Sequence, residues 1–131
     1  MKTRKIWVID DDVIYKTIMK KIILKSEIFS STVTFSNGKE AIDALKKAIE
    51  SNDDLPEIIL LDIEMPVMDG WGFMTEMALI KPNFQSEIKI YISSSSIAVD
   101  DKLRAKNNPD ILGYMSKPIS LDDLKLIALS D

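Results

Sequence analysis

The chain has 131 residues, 46% of them apolar, and a net charge of −4, which suits one domain with a real core and argues against a nucleic-acid-binding surface. It has no cysteine and no histidine, so disulfides, thiolate nucleophiles, Cys/His zinc sites and a phosphohistidine on this chain are excluded; its chemistry must come from carboxylates, hydroxyls, lysines or a hard cation held by oxygens. The apolar run after the basic start Met1-Lys2-Thr3-Arg4-Lys5 is four residues long, and no run approaches the roughly 18 that a membrane span needs, so a cytoplasmic protein without a secretory signal or membrane contact is expected.

Taken in order, the chain alternates strand and helix five times. Ile6-Trp7-Val8-Ile9 predicts a strand over 6–9 that runs into Asp10-Asp11-Asp12. A helix follows from about Val13 to Ser26, with Asp12 as N-cap and Ile14, Ile18 and Ile22 on one face. Lys16, Lys20, Lys21 and Lys25 read as its solvated side. A strand over 32–35, with Val33 and Phe35, alternates as an edge strand does. The next helix, 38–51, opens on Asn37 with Glu40 three residues on, the pattern of a capping box, and buries Ile42, Leu45 and Ile49.

The strand over 57–61 is apolar without alternation and ends on Asp62. Pro66 and Asp69-Gly70 imply a tight loop before a helix from Trp71 to Ile80, which Pro82 discourages from continuing. Trp71 reads as packing at the start of that helix. A strand over 88–92 ends in Ser93-Ser94-Ser95-Ser96. A short helix over 99–106 has Asp100 and Asp101 as its caps, and a strand over 111–115 runs into Lys117-Pro118. The last helix, 121–129, has Ser120 as N-cap and Asp123 three residues on. The seven methionines read as core filler. Strands apolar on both faces belong between two helix layers, so the fold class is α/β, a parallel sheet in a three-layer sandwich.

In an open parallel sheet, chemistry gathers beyond the carboxyl ends of the strands. Here that edge collects carboxylates, hydroxyls and an ammonium. At about 4 Å and an effective dielectric of about 20, each pair among three adjacent carboxylates costs on the order of 4 kcal/mol. Solvent, a raised pKa or a bound cation must offset this, and oxygen-only ligands favour Mg²⁺. Asp62, partly desolvated at a strand end beside a cation, has the makings of a nucleophile toward phosphorus. Lys117 can pair with Asp62 or with a phosphoryl oxygen, and a cis peptide before Pro118 would aim it inward.

Joined in this order, four motifs resemble the receiver domain of two-component response regulators: the acidic cluster at Asp10-Asp11-Asp12, Leu60-Leu61-Asp62-Ile63-Glu64-Met65-Pro66-Val67-Met68-Asp69-Gly70, the serines after the fourth strand, and Gly113-Tyr114-Met115-Ser116-Lys117-Pro118. The resemblance covers essentially the whole chain. It implies a flavodoxin-like (CheY-like) fold, a five-stranded parallel sheet of order 2-1-3-4-5 between two helix layers, in a single receiver domain with no output domain. It implies Asp62 as phosphoacceptor, and a Mg²⁺ or Mn²⁺ cofactor held by Asp10, Asp11, Asp62 and the main-chain carbonyl of Glu64. Lys117 would bind the phosphoryl group, a strand-4 serine would be the switch hydroxyl and Tyr114 the switch aromatic. Such a hydroxyl usually precedes the lysine by just over twenty residues, which favours Ser94 over Ser93. Glu64 and Ser96 would tune dephosphorylation, and Ile14 and Tyr15 would dock the phosphodonor.

The expected partners are a histidine kinase or histidine phosphotransfer protein and an unknown downstream protein. The expected state is a monomer that dimerises on phosphorylation through helix 4, strand 5 and helix 5. No enzyme activity is expected beyond the chain's own phosphorylation and slow autodephosphorylation. One rival is a degenerate receiver that only binds proteins. The other is a haloacid-dehalogenase-like phosphatase with Asp10 as nucleophile and Asp12 as acid/base. There a glycine-rich flap should follow the first strand, and here a lysine-rich helix follows at once.

Overall fold

A computed structural model describes residues 4–84, 86–95 and 98–129. Its strands are β1 (Lys5–Ile9), β2 (Ser31–Phe35), β3 (Ile58–Leu61), β4 (Lys89–Ser94) and β5 (Ile111–Ser116). Its helices are α1 (Val13–Ser26), α2 (Gly38–Glu50), α3 (Gly70–Ile80), α4 (Val99–Lys106) and α5 (Leu121–Leu129). Every pairing is parallel and the order is β2-β1-β3-β4-β5. Sequence and structure therefore agree on the fold class and the strand order.

Strands β1 and β3 are buried on both faces because helices cover both. On one face Ile6, Val8, Ile58, Leu60 and Tyr91 pack with Tyr15, Met19 and Ile23 of α1 and Leu124 and Ile127 of α5. On the other, Trp7, Ile9, Leu61 and Ile92 pack with Ile42 and Leu45 of α2, Phe73 and Met77 of α3 and Ala105 of α4. Each large side chain so buried contributes about 1.5–3 kcal/mol.

Local chemistry sets the helix starts. Asp12 caps α1 by accepting the Tyr15 N–H at 3.0 Å, and Asp69 caps α3 by accepting the Gly72 N–H at 2.8 Å. Ser120 and Asp123 cap α5 reciprocally. At α2, Asn37 accepts the Glu40 N–H, but the Glu40 carboxylate takes the N–H of Ser36 rather than that of Asn37. The cap of α4 differs from expectation. The N-cap is Ala98, without a side-chain bond, and Asp100 and Asp101 lie in the first turn, where they face the positive end of the helix dipole.

Helix α1 differs too. Its buried residues are Tyr15, Lys16, Met19 and Ile23, while Ile14 and Ile18 are exposed. The inward stripe is thus turned by one residue, about 100° on a helix, from the expected Ile14/Ile18/Ile22. Lys16 is 8% exposed and donates from Nζ to Ser36 Oγ at 2.8 Å, so it leaves the solvated lysine face.

A candidate phosphoryl site at the sheet edge

The carboxyl ends of β1, β3, β4 and β5 bring Asp10, Asp62, the serines and Lys117 to one edge. Strand alternation then sorts them by face. Asp10 falls in phase with Ile6 and Val8, Asp62 with Ile58 and Leu60, and Ser93 with Tyr91, all on the α1/α5 side. Lys117 falls in phase with Met115, which packs on that side as well. Ser94 falls in phase with Ile92, on the α2/α3/α4 side where Tyr114 also packs. Strand β4 runs through Ser94, two residues beyond its expected end, so both serines are buried strand residues rather than loop.

Asp10, Asp11 and Asp62 each offer an oxygen within 4.8 Å of the others. Asp10 and Asp62 are buried, and Asp11 is exposed at the rim. Asp10 Oδ1 accepts the Asp12 N–H at 2.9 Å. Asp10 Oδ2 is 2.5 Å from the Lys117 ammonium, yet it lacks a hydrogen-bond partner. Distance and direction disagree here, and the contact is an ion pair rather than a directed bond. A buried carboxylate oxygen without a directed donor, beside two more carboxylates, fits a hard divalent cation.

Asp62 Oδ1 accepts the Ile63 N–H at 2.9 Å, and Oδ2 is 3.5 Å from Lys117 Nζ. Burial pushes the Asp62 carboxyl from its ordinary 3.8 up to about 6; the Asp10 charge adds to this, and Lys117 opposes it. Burial lowers the Lys117 pKa, but the close pairing with Asp10 and the charge of Asp62 outweigh it, and the net direction is up. The site therefore holds a lysine firmly charged between two acids. The Lys117–Pro118 peptide is cis, and the Lys117 N–H donates to Ser94 O at 3.0 Å.

The loop from Asp62 to α3 is tightly folded. A Cβ on Gly70 would sit 2.4 Å from Asp62 O, so only glycine lets α3 begin this close to the acceptor strand. The Gly70 N–H donates to Ile63 O at 2.8 Å. Val67 takes φ 67°, the left-handed region that β-branched residues avoid. Met68 N–H closes that turn onto Pro66 O at 2.7 Å. Glu64, two residues after Asp62, has an exposed side chain.

Of the expected docking pair, Ile14 is 72% exposed but Tyr15 only 7%. Tyr15 points inward because α1 is rotated. Its phenol oxygen is 2.8 Å from Ser93 Oγ, and its ring centroid is 4.5 Å from Lys117 Nζ. It belongs to the site's inner wall, and nothing in the residue spacing distinguished it from Ile14. Trp71 packs in the core as expected and also carries Arg104 of α4 at 4.5 Å from its ring. Asp12, the acid/base of the phosphatase alternative, is spent on capping α1. Ser96 lies outside the described residues.

Residues 6–128 match the family model described as the response regulator receiver domain. The chain is 30% identical over 112 residues to the sensor histidine kinase CheAY of Helicobacter pylori, covering 86% of this chain and 13% of that protein. It is 24% identical over 125 residues to sporulation initiation phosphotransferase F of Bacillus subtilis, covering 95% of this chain and 90% of that one. The first curated relatives it matches are longer: the chain spans 13% to 56% of their length. Among solved structures, a two-component response regulator from Cytophaga hutchinsonii superimposes with a TM-score of 0.82 at 27% identity, over 97% of this chain and 95% of that one.

Proposed function

The chain belongs to the response regulator receiver domain family, and from that premise we propose that it accepts a phosphoryl group on Asp62 from a phosphohistidine of a histidine kinase or phosphotransfer protein. The observation that carries this reading is the Lys117 ammonium set between Asp10 and Asp62, at 2.5 and 3.5 Å. An Asp62 oxygen attacks phosphorus in line, the phosphorus–nitrogen bond of the donor breaks, and the imidazole leaves. Lys117 faces the phosphoryl oxygens, where fixed charge lowers the barrier without reorganising. Asp10, Asp11, Asp62 and the Glu64 carbonyl would hold Mg²⁺ or Mn²⁺, whose chemistry is to neutralise phosphoryl charge.

The switch hydroxyl comes from β4, which offers two buried serines: Ser93 shares the face of Asp62 and Lys117 and bonds Tyr15, and Ser94, which the spacing favours, shares the face of Tyr114. The phosphoryl group draws in one of these hydroxyls, and Tyr114 turns into the space vacated. A hydrogen bond to a charged group is worth about 1.5–3 kcal/mol, while a shift from 1:99 to 99:1 needs about 5.5. Lys117, loop ordering or a partner must supply the rest.

The responding surface is α4, β5 and α5, where Val99, Leu103, Leu112 and Leu126 stand exposed as partner or dimer contacts. Ile14 at the exposed start of α1 receives the phosphodonor. The protein acts in the cytoplasm as a signalling module and catalyses only its own phosphorylation and slow dephosphorylation. Incubation with acetyl phosphate and Mg²⁺ should add about 80 Da, one phosphoryl group, to the intact mass. No adduct, or one that survives Asp62→Asn, overturns the reading.

A further inference from the structure

We propose that Tyr15 is a positioning residue for Lys117, held in place for that task by Ser93. The proposal rests on the reading of Lys117 as the phosphoryl-binding cation, and it concerns this chain's own α1 rather than the motif residues.

Three observations converge on it. The Tyr15 ring lies 4.5 Å from Lys117 Nζ, within the range at which an aromatic face attracts an ammonium, and most strongly where water is excluded. The Tyr15 hydroxyl and Ser93 Oγ are 2.8 Å apart, in a buried bond from α1 to β4. Ser93 is itself 2% exposed. A buried phenol needs a partner, and Ser93 supplies one from β4 while the ring stays turned to the lysine. The bond helps to fix the ring angle.

The consequence is confinement of the ammonium. A lysine has four rotatable side-chain bonds and a compact charge. Asp10 and Asp62 attract Lys117 from one side, and the Tyr15 ring lies against it as an apolar, electron-rich surface. The ammonium is held where a phosphoryl group on Asp62 would meet it, so less of its freedom remains to be lost on binding. Tyr15 acts through the lysine that its ring faces.

The test uses the whole chain, beryllofluoride as phosphoryl mimic and saturating Mg²⁺. Tyr15→Leu removes ring and hydroxyl and should weaken beryllofluoride binding about 3- to 10-fold, with Mg²⁺ affinity not reduced. Tyr15→Phe keeps the ring and removes the hydroxyl with its bond to Ser93. It should weaken binding about 2-fold. The ring-current shift on the Lys117 ε-methylene protons should persist in wild type and vanish in Tyr15→Leu. Should Tyr15→Leu not fold, the affinity and the lysine shift of Tyr15→Phe decide. Wild-type affinity in Tyr15→Leu, or in Tyr15→Phe where that variant decides, or a lysine shift indifferent to Tyr15 would overturn the proposal. Failure of the wild type itself to bind beryllofluoride would instead overturn the phosphoacceptor reading, and Tyr15's role with it.

Discussion

The ammonium of Lys117 is paired with Asp10, at 2.5 Å, more closely than with the acceptor Asp62, at 3.5 Å. A residue proposed to bind phosphate thus begins as the counter-ion of a proposed metal ligand. A cation held by Asp10 would compete with Lys117 for that carboxylate.

Lys117→Met should expose that competition. Removing one partner of a buried ion pair costs about 3–5 kcal/mol, so the variant should be strongly destabilised in EDTA. The same change removes a positive charge from the cation site. Mg²⁺ should bind about 10-fold tighter, or 1.4 kcal/mol, and restore much of the stability. Calorimetric titration checks the affinity, and unchanged or weaker Mg²⁺ binding would count against the geometry.

Asp62 should make stability depend on pH. Its pKa is pushed up to about 6 by burial, with the Asp10 charge second, against about 3.9 unfolded. Between those values the folded state holds more protons than the unfolded one. Stability therefore falls as pH rises through the window, by at most about 3 kcal/mol. Asp62→Asn should be more stable than wild type at pH 7.5 without cation, by about 1–3 kcal/mol, and similar to it near pH 4. Urea unfolding in EDTA measures this, and equal stability at pH 7.5 would refute it.

Val67 should be a stabilising position. It is 82% exposed and sits at φ 67°, so its side chain packs little while its backbone conformation costs about 1–2 kcal/mol. Val67→Gly relieves this, less part of that gain for glycine's added freedom when unfolded. A thermal midpoint about 2–4 °C higher is expected, and a lower one would show that the valine contributes more than its exposure implies.

Glu64→Ala should alter the lifetime of the acyl phosphate without abolishing its formation, because the side chain stands in solvent beside the acceptor. Pulse labelling followed by decay in excess EDTA separates the two. Decay identical to wild type would remove Glu64 from dephosphorylation.

How much of this was legible beforehand varies from residue to residue. The strand ends were legible. Unbroken apolar runs such as Ile58-Ile59-Leu60-Leu61 admit one reading when both sheet faces are covered, and a charge closing such a run must sit at the edge. The caps at Asp12, Asn37 and Ser120 were legible because a cap is a contact over three residues. So were the fold and its strand order, through motifs that all lie at those ends.

Helix α1 was not legible. Ile14/Ile18/Ile22 and Tyr15/Met19/Ile23 are equally regular stripes four residues apart, and local pattern cannot rank them. The docking of α1 against β1, β3 and α5 chose the second stripe, because that rotation buries Tyr15, Met19 and Ile23 together with Leu124 and Ile127. The same rotation sank Lys16 and turned Tyr15 from the surface to Ser93 and Lys117. The sequence by itself determined which residues reach the sheet edge. Only the tertiary structure decided which face each one joins, since that depends on contacts between segments as far apart as Tyr15 and Lys117.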